Sequence, residues 1–313
     1  MLRIDFINVG DGDAALIRLN DDEFTILVDT GRPLVSAATG SKRAHAIDFL
    51  MREGVKHIDL MILTHLHFDH MGGALGVMRH IKVDRMTALY LPPKDAGWIF
   101  LPEGDCERTV ANLFHALNYF ADTVTRAREL GVSCELAKRG ELEAPNGLRL
   151  TLYLPDDELK ARQKAVFDSL YRGEKLQGEL SYAASKERNI SSLMLRIEYE
   201  GKSVLITGDA YGAYWQDAEM PPCDILKMPH HGDEKSMTES LIAKLHPSYA
   251  ITSCQNDAVQ KKERPAERTI RMIKPYVPNI LCTENRQLLS LEASCNTAIS
   301  LVIENGSVRR IDP

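Results

Sequence analysis

The stretch Leu63-Thr64-His65-Leu66-His67-Phe68-Asp69-His70-Met71-Gly72-Gly73 constrains this chain more than any other feature. It follows residues 58–63, a short and almost wholly apolar run of the kind that forms a strand covered on both faces. Three of the ten histidines fall within the six residues 65–70. In an extended segment, side chains two apart point the same way, so His65 and His67 can grip one ion together. The chain must then turn, and Asp69 and His70 point to a second ion close by. Gly72 and Gly73 permit tight backbone geometry into a following helix. Imidazole nitrogens with one carboxylate suit zinc, and iron or manganese as well.

The rest of the chain reads as a strand-rich α/β protein. Strands are expected at residues 2–9, 14–19, 24–29, 58–63 and 85–91, with helices at 43–52 and 73–80 between them. The middle differs. Residues 105–130 carry apolar positions at helical spacing up to Gly131. A strand at 148–154 follows, and 155–188 is charged enough for a surface helix with a loop. The last third returns to strands at 191–199, 203–207, 224–228, 249–253 and 279–282, with helices at 238–245 and 267–273. It closes on a hairpin across Asn305-Gly306. Two strand-rich parts around a polar middle predict four layers: helix, sheet, sheet, helix.

Composition bounds the function classes. With 44% hydrophobic and 26% charged residues over 313 positions, disorder and fibrous repeats are excluded. Mean hydropathy is −0.22, and no apolar run approaches the roughly 18 residues of a membrane helix. The start, Met1-Leu2-Arg3-Ile4-Asp5, lacks the pattern of a secretion signal. The net charge of −6 argues against bulk attraction to nucleic acid or acidic membrane. Six cysteines form no CxxC pair, so free thiols in a reducing cytoplasm are expected.

HxHxDH after an apolar strand resembles the metallo-β-lactamase fold superfamily. Asp29-Thr30-Gly31 is similar to that family's early Asp, Leu205-Ile206-Thr207-Gly208-Asp209 to its strand-ending, metal-bridging Asp, and Lys227-Met228-Pro229-His230-His231-Gly232 to its late His motif. Asn8-Val9-Gly10-Asp11-Gly12-Asp13-Ala14 and Asn189-Ile190-Ser191-Ser192-Leu193 narrow the resemblance to the hydrolase domain of ComEC-type competence channels. The resemblance implies an αββα sandwich spanning 1–313 as one domain, with a helical and loop insertion at about 92–188. It also implies a metal-dependent hydrolase that holds one or two Zn2+ ions, with Mn2+ or Fe as alternatives.

The expected metal ligands are His65, His67, Asp69, His70, Asp209 and His230. Adjacent residues on a strand point to opposite sides, so one of His230 and His231 should bind metal, and His230 is preferred. Asp69, His231 and Arg264 form the expected catalytic set, and Asp13, Asp29 and Asn189 are expected to support the ligands from behind. The family's His between HxHxDH and the bridging Asp is missing. His80 and His115 read as structural, and Asn189 stands in that place. The His65/His67 ion is therefore expected to be the weaker one.

ComEC-like domains also carry a His-Pro where this chain has Arg264-Pro265. Arg adds a fixed positive charge that suits a phosphate. Six bases against two acids in residues 260–274 strengthen that reading. The expected substrate is a phosphodiester, in nucleic acid or a small molecule. Hydrolysis of a thioester, lactone or β-lactam, and a non-catalytic metal-binding sensor, are the alternatives. Trp98 and Phe100 are read as packing residues, with a substrate pocket as the other option.

Overall fold

In the computed structural model the two most apolar runs of the first third, β3 (Phe24–Val28) and β4 (His57–Leu63), are neighbouring parallel strands. Residues 1–36, 40–101, 107–145, 147–174, 187–256 and 264–311 are described. Strands with apolar side chains on both faces must be covered twice, and this requirement organises the molecule. Ile26, Val28, Leu60 and Ile62 face a second sheet, where they meet Leu150, Leu195, Ile197 and Val204. Leu27, Met61 and Leu63 point the other way, into a layer of helices holding Phe49, Val77 and Phe120.

The first sheet contains β1 (Leu2–Ile7), β2 (Ala15–Leu19), β3, β4, β5 (Lys82–Ala88), β6 (Ser133–Leu136), β16 (Ala298–Glu304) and β17 (Ser307–Arg310), in the spatial order β17-β16-β1-β2-β3-β4-β5-β6. Helices α1 (Ala46–Arg52), α2 (Phe68–Met71), α3 (Ala74–His80) and α4 (Arg108–Glu129) belong to this half, followed later by α5 (Asp157–Tyr171). The second sheet runs β13-β12-β11-β10-β9-β8-β7. Its strands are β7 (Gly140–Leu142), β8 (Arg149–Tyr153), β9 (Met194–Tyr199), β10 (Lys202–Ile206), β11 (Ile225–Lys227), β12 (Tyr249–Thr252) and β13 (Asn279–Cys282). Helices α6 (Glu239–Leu245) and α7 (Glu267–Ile273) cover its outer face through Leu241, Ile242, Ile270 and Ile273. A small two-stranded sheet pairs β14 (Glu284–Asn285) with β15 (Ser294–Cys295). The four layers expected from the sequence are the four layers observed.

The stretch 92–188, expected as a helical and loop insertion, also supplies β6, β7 and β8 to the two sheets. β6 and β7 escape the sequence pattern because they are short, largely solvent-facing edges without apolar alternation. Residues 175–186 of the charged segment lie outside the described residues, as do Lys261, Lys262 and Cys106. Among the described residues no helix is long and apolar enough to cross a membrane, and the described cysteines are free.

Candidate metal centre

β1, β3, β4, β10 and β11 all deliver their C-terminal ends to one place. The turn after β1 carries Asp11 and Asp13. It grips the metal motif through the Asp13 amide, which donates to the Asp69 carbonyl at 3.0 Å. Gly12 is needed there, since a Cβ would lie 2.4 Å from that same carbonyl oxygen. After β10, Gly208 takes φ +53°, and a Cβ on it would meet the Thr64 and Ser192 side chains at 2.9–3.0 Å. Close approach to the neighbouring motif, as well as to the ions expected there, accounts for glycine before Asp209.

Two groups of side chains, and a third that overlaps both, converge at these strand ends. Single donor atoms of His65, His67 and Asp209 lie within 4.8 Å of one another, as do those of Asp69, His70 and His231, and those of Asp13, His70 and Asp209. Asp209 stands between the groups. Its Oδ1 is 3.2 Å from His70 Nε2, and its Oδ2 is 3.7 Å from His65 Nε2 and 3.8 Å from His231 Nε2. His70 Nε2, His231 Nε2, Asp209 Oδ1 and Asp13 Oδ1 are buried and have no hydrogen-bond partner. Buried polar atoms are nearly always satisfied, so this convergence of orphaned N and O donors fits divalent ions.

The imidazoles are fixed from behind. Asp29 accepts from the Thr64 amide at 2.8 Å, from the Thr64 hydroxyl at 2.7 Å and from His70 Nδ1 at 2.7 Å. That leaves His70 Nε2 facing Asp209. His231 Nδ1 donates to the Ser253 carbonyl at 3.0 Å, which leaves its Nε2 facing Asp69 at 3.5 Å. Asp13 lies 3.5 Å from His231 Nδ1 and is paired with the buried ammonium of Lys227.

Electrostatics follow from this crowding. Burial pushes His65 and His67 well below the ordinary imidazole range, helped by His70 at His65 and by Arg188 at His67. Burial works the same way on His70 and His231, but carboxylates outweigh it. Asp209 and Asp29 hold His70 well above its usual value, and Asp209 and Asp13 hold His231 at about 9. Burial alone would raise the Asp13 carboxyl, yet Lys227 and His231 keep it at about 2.

The late His pair departs from the expectation. The sequence reading favours His230 as ligand, whereas His231 joins Asp69 and His70. The alternation argument fails because Pro229–Gly232 is a tight 3-10 turn, with His230 and His231 at φ +45° and +55°, rather than a strand. His230 is 3.9 Å from Asp209 Oδ2, pairs through Nδ1 with Asp233 and accepts from Arg264 Nη2 at 2.7 Å. Tyr211 stands edge-on to its ring at 4.9 Å, and the Tyr211 hydroxyl accepts from Asn189 at 3.0 Å. Asn189 thus reaches the site by way of Tyr211 and His230.

Arg264 and Arg32 come from opposite ends of the sequence and meet at Asp11, at 3.4 and 3.0 Å. His80 and His115 are exposed and belong to none of the metal-competent groups among the described residues. Trp98 and Phe100 are 60% and 79% exposed, so packing does not account for them.

Sequence reasoning passed over three residues. Lys227 is 1% exposed at the end of an otherwise apolar strand, and a lone charge in such a run is the signal that marks it. Arg32 follows the Asp-Thr-Gly turn. Arg188 is 5% exposed and donates to the Leu66 carbonyl at 3.1 Å; within a strongly charged segment nothing distinguished it. From the middle region, Tyr119 on α4 donates its hydroxyl to the Gly72 carbonyl and rests against Phe68.

Comparison with known proteins agrees with this architecture. Residues 7–255 match the family model described as "Metallo-beta-lactamase superfamily". ComE operon protein 3 of Bacillus subtilis is 27% identical over 294 residues. The match covers 90% of this chain, and the chain spans about a third of the relative's length, 32%. Two solved structures are similar to this chain at low identity. One is a diphosphatase from the PhnP family, with TM-score 0.50, 14% identity, and coverage of 97% of this chain and 98% of that one. The other is the metallo-β-lactamase fold protein YhfI from Bacillus subtilis, with TM-score 0.48, 11% identity and coverage of 90% and 95%. With paired His/Asp groups at the strand ends of an αββα sandwich and a family match over most of its length, this chain belongs to the metallo-β-lactamase superfamily.

Proposed function

We propose that this chain is a metal-dependent phosphodiesterase acting on a nucleotide or nucleic-acid phosphodiester. The observation that carries the reading is the meeting of Arg32 and Arg264 at Asp11, beside the two His/Asp groups. Asp11 faces both guanidiniums and Asp69 lies 3.9 Å from Arg32; with Asp69 engaged by an ion, one guanidinium charge would be left where a substrate anion would lie. A planar guanidinium can hold two phosphate oxygens at once. The fold's use in a diphosphatase supports the same class of chemistry.

His65, His67 and Asp209 would hold one ion, and Asp69, His70 and His231 the other, with Asp209 shared. N and O donors of this kind suit Zn2+, with Mn2+ or Fe as alternatives. Bound divalent ions lower the pKa of coordinated water to about 7 and offset negative charge that develops on the substrate. Arg264 then binds and orients the phosphate, since its proton stays on at any working pH. His230 is held between Asp233, Tyr211 and Arg264, and contacts substrate rather than metal. Asp13, Asp29 and Asn189 orient these groups. We read residues 1–313 as one hydrolase domain, with the middle region forming part of the cleft wall. The free thiols support a cytoplasmic setting.

The test compares metal-stripped and zinc-, manganese- or iron-reloaded protein on bis-p-nitrophenyl phosphate and on a thioester and a lactone. Metal-restored turnover of the phosphodiester alone supports the reading. Turnover confined to the neutral esters moves the chain to the alternative hydrolases. Metal binding without any turnover points to a sensor.

A further inference from the structure

The two groups that would hold ions are not electrically equivalent. Arg188 is buried, and its Nη1 donates to the carbonyl of Leu66, the residue between His65 and His67. A guanidinium is therefore fixed at the backbone that presents the His65/His67/Asp209 group. The Asp69/His70/His231 group has two further carboxylates against it, Asp29 on His70 and Asp13 beside His231, with Lys227 paired to Asp13 and Arg32 3.9 Å from Asp69. It also has a carboxylate of its own in Asp69, while the first group must share Asp209.

We propose, on the footing of the metal-centre reading above, that Arg188 sets the metal occupancy of the centre. Its fixed charge weakens the ion held by His65, His67 and Asp209 relative to the ion held by Asp69, His70 and His231. Two like charges in a partly dry pocket repel strongly, because little water screens them. Burial pushes the Arg188 guanidinium down to about 10, with Asp69 opposing, so it still carries its charge at neutral pH. Its charge is also among the influences, after burial, that hold His65 and His67 below the usual imidazole range. The consequence is a centre with one tight ion and one weak ion. When the weak ion is absent, the guanidinium supplies positive charge on that side. The site then exchanges its second ion with the surrounding metal concentration while keeping the first.

The experiment strips the protein with a chelator and titrates Zn2+ against a chromophoric competitor, with elemental analysis to count ions. The parent should show two classes of site whose affinities differ by at least about tenfold. His67→Ala should remove the weak class and spare the tight one. Arg188→Gln should tighten the weak class by about ten- to a hundredfold, while Arg188→Lys, which keeps the charge, should leave it weak. Two equally tight ions in the parent, loss of the tight class in His67→Ala, or a folded Arg188→Gln with an unchanged weak class would each overturn the proposal and leave the hydrolase reading standing. A parent that takes up no ion overturns both. If Arg188→Gln does not fold, as judged by thermal melting, Arg188→Met, which keeps the length of the stem and removes the charge, is titrated in its place with the same two outcomes.

Discussion

The carboxylate of Asp29 lies 2.7 Å from Nδ1 of His70, and its other oxygen accepts the Thr64 amide at 2.8 Å. One acid thus fixes both the orientation of an imidazole and the backbone that leads into the metal motif. An Asn there keeps the shape but offers an N–H where His70 needs an acceptor. Partners of this kind typically account for 10–100-fold in metal affinity. Asp29→Asn should lower zinc affinity by about that factor, read by competition with a chelator, while circular dichroism stays close to the parent's.

Arg264 tests the substrate reading. If it holds a phosphate, losing a charged hydrogen bond in a partly dry site costs on the order of 1.5–3 kcal/mol, or roughly ten- to a hundredfold in rate. Arg264→Lys should lose phosphodiester turnover nearly as much as Arg264→Ala, because Lys lacks the planar fork. Zinc content should be unchanged in both. Rates within about twofold of the parent would remove the best local support for a phosphate substrate.

Gly208 tests the placement of Asp209. At φ +53°, with Thr64 and Ser192 2.9–3.0 Å from where a Cβ would lie, alanine meets both strain and collision. Gly208→Ala should destabilise by about 1–3 kcal/mol in a denaturant melt. It should also reduce the zinc retained after gel filtration, because Asp209 sits between both groups.

Against Gly10, next to the turn that carries Asp11, Arg43 and Glu284 form a buried two-pronged pair at 2.7 and 2.8 Å, with both side chains fully inaccessible. Removing one partner strands the other's charge. Arg286 also reaches Glu284, at 3.0 Å, and softens the effect. Arg43→Met should cost about 3 kcal/mol, at the low end for a broken buried pair. Arg43→Lys should recover only part of it. Urea melts of the metal-free protein measure both.

Much of the fold was legible because apolar side chains dictate it. β3 and β4 carry nearly unbroken apolar runs, which is the pattern two-sided coverage requires. β6 and β7 were illegible because exposed edges place few demands on side chains. Among the site residues, the His65–His70 motif announced itself through spacing. The His230/His231 choice did not, because it depends on two left-handed backbone conformations that spacing does not encode. Arg188 was hidden for another reason: a surface arginine and a buried one look alike until the surrounding segments are folded around them.

The pairing of β1 with β16 has a consequence for how this molecule comes into being. Leu2 lies opposite Ile303, and the register runs unbroken to Ile7 opposite Ala298. During synthesis β1 leaves the ribosome with one flank open, and its partner is not made until residues 298–304 have been translated. Leu2, Ile4 and Phe6, fully or almost fully buried in the finished protein, must wait exposed or in temporary shelter. Long-range pairing of this kind is slow to form, and open apolar edges are prone to association. The nascent chain should therefore be a strong client for chaperones. A stalled or shortened translation product should aggregate through its first strand rather than persist as a half-built enzyme.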